Sequence, residues 1–126
     1  MGQACVYIVD DDDNIRRSTT FLLSSHELGC RAFATGEDLL DAIDDLDPGC
    51  ILLDIVMPQH SGLEVQAELR RRGSKLPVIA MTGGGDEEMA IRSLEMGAID
   101  ILEKPFAEEA LLAALQRGFD QLDRVV

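Results

Sequence analysis

A run of four carboxylates and a single one, each closing an apolar run, carry the chemistry of this chain. Cys5-Val6-Tyr7-Ile8-Val9 leads into Asp10, Asp11, Asp12 and Asp13, and Cys50-Ile51-Leu52-Leu53 leads into Asp54. Short β-branched runs that stop abruptly in acids read as buried parallel strands with reactive C-terminal tips. Carboxylates converging at neighbouring tips repel strongly where the dielectric is low. A hard divalent cation removes that repulsion, and a ligand set made only of oxygens suits Mg2+. Two further runs end in Thr82-Gly83 and in Lys104-Pro105. An acid pair, a single acid, a hydroxyl and a lysine at four tips suit joint binding of Mg2+ and a phosphoryl group.

The elements that must position these residues alternate five times. Apolar runs at about 5–9, 30–34, 50–53, 77–81 and 99–102 predict strands, and helical periodicity fills about 14–28, 36–47, 62–72, 86–96 and 107–123. Such alternation with short links means βαβ units, hence a parallel sheet with helices on both faces. Gly29, Pro48-Gly49, Gly73 and Gly97 serve as helix stop signals. Thr35 before Gly36-Glu37-Asp38 reads as an N-cap with an acidic first turn. One of Asp12 and Asp13 is expected to cap the first helix, where an acid suits the positive end of the dipole.

Composition bounds the remaining possibilities. The 126 residues are 46% hydrophobic, which fits one domain, 1–126, with no repeat or linker. Eleven basic against 24 acidic residues give a formal charge of −13, a surface that repels nucleic acid and anionic membrane. The one basic cluster, Arg70-Arg71-Arg72 before Gly73, reads as cations on a helix C-terminus. No uncharged run approaches the roughly 20 residues that span a bilayer, and no basic-plus-apolar leader opens the chain. Cys5, Cys30 and Cys50 lack zinc-ligand spacing and are expected to pack as free thiols, which fits a cytoplasmic location. His26 and His60 read as surface or structural residues. Thr82-Gly83-Gly84-Gly85-Asp86 is neither a dinucleotide fingerprint nor a Walker loop, and suits a moving loop better than a phosphate cradle.

Six motifs in order carry a family resemblance. They are Val6-Tyr7-Ile8-Val9-Asp10-Asp11-Asp12, Leu53-Asp54-Ile55-Val56-Met57-Pro58, Ser61-Gly62, Met81-Thr82-Gly83, Met96-Gly97-Ala98 and Glu103-Lys104-Pro105-Phe106. Together they make the chain resemble the receiver domain of two-component response regulators, chiefly its FixJ-type subgroup. The resemblance implies a flavodoxin-like α/β fold, with a doubly wound five-stranded parallel sheet and five helices. The implied strand order is 2-1-3-4-5, shared by flavodoxin and the chemotaxis receiver, with the ligand site where strands 1 and 3 meet.

The resemblance also assigns roles. Position alone makes Asp54 sooner an N-cap or surface acid than a nucleophile; the resemblance makes it the phosphoacceptor, able to form an acyl phosphate. It implies Mg2+ ligation by Asp11, Asp54 and the Val56 backbone carbonyl, with Asp10 acting mainly through water. Lys104 and Thr82, otherwise a surface lysine and a strand-end threonine, are implied to bind the phosphoryl oxygens. Pro105 matches the family's cis-proline. Ile101 stands where the family usually carries a switching aromatic. Val56 and Gly84 stand at positions that influence phosphate lifetime, and neither offers a polar group. The implied partner is a histidine kinase or phosphotransfer protein, with phosphorylation-dependent self-association through the fourth helix and fifth strand at Ile91, Glu95, Ile99 and Ile101. Met89, Ala90 and Leu94 are expected on the core side of that helix. Two rivals remain: a Mg2+-dependent phosphatase of the haloacid dehalogenase kind, using the Asp10 and Asp12 spacing, and a degenerate receiver that is never phosphorylated. The residues leave open the cognate kinase and any output domain.

Overall fold

The apolar runs form a parallel sheet, as a computed structural model of the chain shows. The structure describes residues 5–57 and 61–125, the last two by backbone alone; Pro58 and His60 lie outside the described residues. In chain order the elements are β1 (Cys5–Val9), α1 (Asp13–Ser25), β2 (Cys30–Phe33), α2 (Gly36–Ala42), a 3-10 turn (Ile43–Asp45) and β3 (Gly49–Asp54). These lead to α3 (Gly62–Arg71), β4 (Val78–Thr82), α4 (Glu87–Glu95), β5 (Asp100–Glu103) and α5 (Glu108–Val125). The strand order is β2-β1-β3-β4-β5. Every pairing is parallel, with Val9 opposite both Phe33 and Leu53, Asp54 opposite Met81, and Thr82 opposite Glu103.

Parity along the strands sorts the core into two layers. Tyr7, Val9, Ile51, Leu53, Val78 and Ala80 face one side, packing with Leu39, Val65 and Leu69 of α2 and α3. Val6, Ile8, Cys50, Leu52, Ile79 and Met81 face the other, packing with Leu23 of α1 and with Leu111 and Leu115 of α5. Central strands covered on both faces need apolar residues at every position, which is why β1, β3 and β4 read as unbroken runs. The edge strands β2 and β5 expose residues and read less cleanly.

The caps follow local chemistry. Asp12 caps α1, its side chain accepting from the Asn14 and Ile15 amides. Thr35 caps α2 through the Asp38 amide. Ser61 and Glu64 close a capping box on α3. The first helix stops at Ser25 and not near 28, because Glu27 takes the left-handed turn at φ 60° and Leu28 N–H returns to the Leu23 carbonyl. Gly29 is not the stop signal there. The second helix tightens into the 3-10 turn after Ala42, short of the expected residue 47. Arg71 and Arg72 both pair with Glu68 on their own helix, and Arg72 also donates to the Leu40 carbonyl, tying the end of α3 to α2. Cys50 is buried, whereas Cys5 and Cys30 are half-buried; all three are free thiols. His26 bridges α1 and α5, with Nε2 3.3 Å from the Glu108 carboxylate. Among the described residues no helix is long and apolar enough to cross a membrane.

Candidate functional site

The order β1-β3-β4 brings Asp10 and Asp54 together at adjacent strand ends, although 43 residues of chain separate them. Both carboxylates are buried, at 0% and 4% exposure. Lys104, just beyond β5, reaches across both. Its Nζ lies 2.7 Å from Asp10 Oδ2 and 3.2 Å from Asp54 Oδ2. The remaining oxygens are held by backbone: the Asp12 amide donates to Asp10 Oδ1, and the Val56 amide to Asp54 Oδ1, each at 3.0 Å.

Burial sets the electrostatics. It pushes the Asp54 carboxyl up to about 6, and the Asp10 charge adds to the rise, against lowering by the Val56 amide and Lys104. Burial likewise works against the Lys104 charge, but hydrogen bonding to Asp10 and the Asp54 charge outweigh it and hold its pKa above the ordinary value. One ammonium therefore partly neutralises two buried acids, leaving the pair underpaid in positive charge.

A cation fits that deficit. Asp10, Asp11 and Asp54 can each offer an oxygen, with all three within 4.8 Å of one another. The donors are hard oxygens, two buried and one at the solvent edge, which suits an ion that keeps several waters. Asp12 stays out of the cluster, its carboxylate spent on the α1 cap. That removes the second acid on which the phosphatase reading depends. Asp13 pairs instead with Arg16 and Arg17.

The other expected site residues surround this centre. Thr82 is the last residue of β4 and is 4% exposed; its carbonyl accepts the Lys104 amide at 2.7 Å, joining hydroxyl and lysine tips. The Lys104–Pro105 peptide is cis. Ile101 pairs with Ala80, two residues below the Thr82–Glu103 pair, and packs half-buried on the α4 side of the sheet. Val56, two residues past Asp54, is 43% exposed. Gly62 shows why Ser61-Gly62 follows the acid: a Cβ there would lie 2.6 Å from the Asp54 carbonyl oxygen and 2.5 Å from Ile55 Cα.

The α4 surface differs from expectation. Leu94 is 47% exposed and shares the outer side of the helix with Ile91, at 57%. The inward position belongs to Ser93, fully buried because Gln66 of α3 satisfies its hydroxyl. Met89, four residues before Ser93, packs on the same layer. Glu95 is exposed. Ile99 packs under α5, on the sheet face opposite Ile101, so those two side chains do not share one surface. Two contributors escaped the sequence reading: Arg16, whose i, i+3 spacing from Asp13 is a usable signal, and the Gln66–Ser93 pair, polar residues with no local signal.

Known proteins share this sequence pattern and fold. Residues 6–116 match the response regulator receiver domain family. Over 111 residues the chain is 45% identical to the transcriptional regulatory protein FixJ of Azorhizobium caulinodans, covering 88% of this chain and 53% of that protein. Full-length FixJ from B. japonicum matches with a TM-score of 0.91 and 34% identity, covering 97% of this chain and 60% of that one. The crystal structure of FixJ-N matches with a TM-score of 0.91 and 32% identity, covering 95% of this chain and 96% of that one. The chain spans about half the length of the curated relatives it matches. Matched across most of its length in both sequence and fold, it belongs to the receiver domain family of two-component response regulators.

Proposed function

We propose that residues 1–126 act as a phosphoacceptor switch, with Asp54 the residue that takes the phosphoryl group. The observation that carries this is Lys104 lying between the buried carboxylates of Asp10 and Asp54, with Asp11 beside them. A kinase or phosphotransfer protein presents a phosphohistidine. An Asp54 oxygen forms the new P–O bond, the P–N bond breaks, and the imidazole leaves with the electron pair. Asp10, Asp11, Asp54 and the Val56 carbonyl would hold Mg2+, which supplies charge neutralisation at the transferring group. Lys104 donates to a phosphoryl oxygen in place of its bond to Asp54. Val56 N–H keeps the Asp54 carboxylate from rotating.

Thr82 then turns toward the phosphoryl group, taking the 83–86 loop with it. The β4–α4 surface is biased because those contacts exist in only one of two arrangements. Ile101 is the side chain that follows Thr82, without an aromatic ring. The exposed pair Ile91 and Leu94, with Glu95, forms the surface for self-association.

Mass spectrometry after acetyl phosphate and Mg2+ treatment tests the reading. One added phosphoryl group is expected on the wild type and none on Asp54→Asn. Full labelling of that variant elsewhere would overturn the assignment. An unlabelled wild type would favour the degenerate receiver.

A further inference from the structure

Three consecutive aspartates fill the turn between β1 and α1 and a fourth, Asp13, opens the helix; one basic side chain reaches back over them. Arg16 Nη1 donates to the Asp10 carbonyl at 2.8 Å, and Nη2 donates to Asp13 Oδ1 at 3.0 Å. Its side chain is 20% exposed, whereas neighbouring Arg17, paired with the same Asp13, is 78% exposed. The turn is also closed by its own backbone. The Asp12 amide donates to Asp10 Oδ1, and the Arg16 amide donates to the Asp12 carbonyl at 3.1 Å. Arg16 therefore grips both ends of the segment that presents Asp11, whose side chain is exposed.

We propose that Arg16 is a positioning residue for the cation site, fixing the Asp10–Asp11 peptide so that both carboxylates reach one ion. This rests on the reading of Asp10, Asp11 and Asp54 as the cation ligands. A guanidinium suits the task because its planar fork holds two acceptors at a set separation, which an ammonium does not. Partners behind metal ligands orient them, and losing one typically weakens metal binding by roughly 10- to 100-fold.

Charge alone predicts the opposite sign. A cation beside a cation site repels the ion, so removing Arg16 would tighten binding if repulsion were its main effect. The direction of the change thus separates positioning from simple electrostatics.

Calorimetric Mg2+ titration at fixed ionic strength, with far-UV circular dichroism to check folding, tests this on wild type, Asp11→Asn, Arg16→Met and Arg16→Lys. Asp11→Asn should lose most binding. Arg16→Met should bind at least roughly 10-fold more weakly. Arg16→Lys should fall between, since it restores the charge without the fork. Metal-free hydrogen exchange at the Asp12 amide should quicken in Arg16→Met. An Arg16→Met protein that binds Mg2+ as tightly as wild type, or more tightly, overturns the proposal, whatever its melting temperature. Should that variant not fold, Arg16→Lys decides: weaker binding supports positioning, and equal binding overturns it. A wild type that does not bind Mg2+, or an Asp11→Asn variant that binds like wild type, sinks the ligand assignment itself and the inference with it.

Discussion

Lys104 Nζ sits 3.2 Å from Asp54 Oδ2 across the gap between the β3 and β5 ends. That contact joins the proposed phosphoacceptor to an ammonium that Asp10 shares. The lysine is thus placed before any phosphoryl group arrives, which lowers the reorganisation needed at transfer.

The raised Asp54 pKa makes a signed prediction. Its folded value is about 6 against an ordinary 3.8, so its favourable contribution is full below about 3.8 and is lost as pH rises through 6. Without metal, Asp54→Asn should therefore be more stable than wild type at pH 7.5, on the order of 1–3 kcal/mol. The advantage should shrink as pH falls toward 4, and saturating Mg2+ should narrow it at pH 7.5. Thermal melts in chelator from pH 4 to 8 measure this; a pH-independent gap would contradict it.

With Asp54 as the proposed phosphoacceptor, phosphate lifetime should depend on the side chain two residues past it. Val56 there is 43% exposed and apolar, so its side chain cannot orient an attacking water by hydrogen bonding. Slow loss of phosphate is expected from wild type, and faster loss from Val56→Asn. The companion change Gly84→Glu is a poorer probe, because its Cβ would lie 3.3 Å from the Glu103 carboxylate. Decay of the labelled species after acetyl phosphate removal provides the comparison. Equal decay rates would reject the argument.

Ser93 and Gln66 should behave as a unit. Gln66 Nε2 donates to the Ser93 carbonyl at 3.2 Å, and the Ser93 hydroxyl donates to Gln66 Oε1, with both side chains buried. Ser93→Ala leaves a buried amide oxygen without its donor, at about 1–3 kcal/mol. Adding Gln66→Leu should recover part of the loss, since removing both partners costs less than removing one. Urea unfolding of the two single variants and the double variant reads the coupling; strictly additive losses would show that the pair is not linked.

The outer side of α4 should matter only in the activated state. Ile91→Glu and Leu94→Glu remove exposed apolar surface without touching the core. Light scattering with beryllofluoride and Mg2+ should show self-association of wild type and a monomer for each variant. Both variants should still bind the mimic. A wild type that stays monomeric with the mimic would refute the interface.

The sequence by itself determined the βαβ alternation and the central strands, because strands covered on both faces must be apolar throughout. It also placed Asp10, Asp54, Thr82 and Lys104 at or just past strand ends, since parallel strands all end on the same side, while their roles came only from the family resemblance. The caps Asp12 and Thr35 were legible because their bonds span only two or three residues. Tertiary structure decided what depends on partners distant in the chain. Ser93 instead of Leu94 turns inward because Gln66, 27 residues earlier, satisfies its hydroxyl, which no helical period reveals. The Asp54 pKa rises because packing removes water and brings Asp10 beside it. Ile99 and Ile101 part company because the chain enters β5 between them, and each side chain packs on a different sheet face. Local bonds and periodicity are written in neighbouring residues, whereas desolvation and long-range pairing exist only once the layers close.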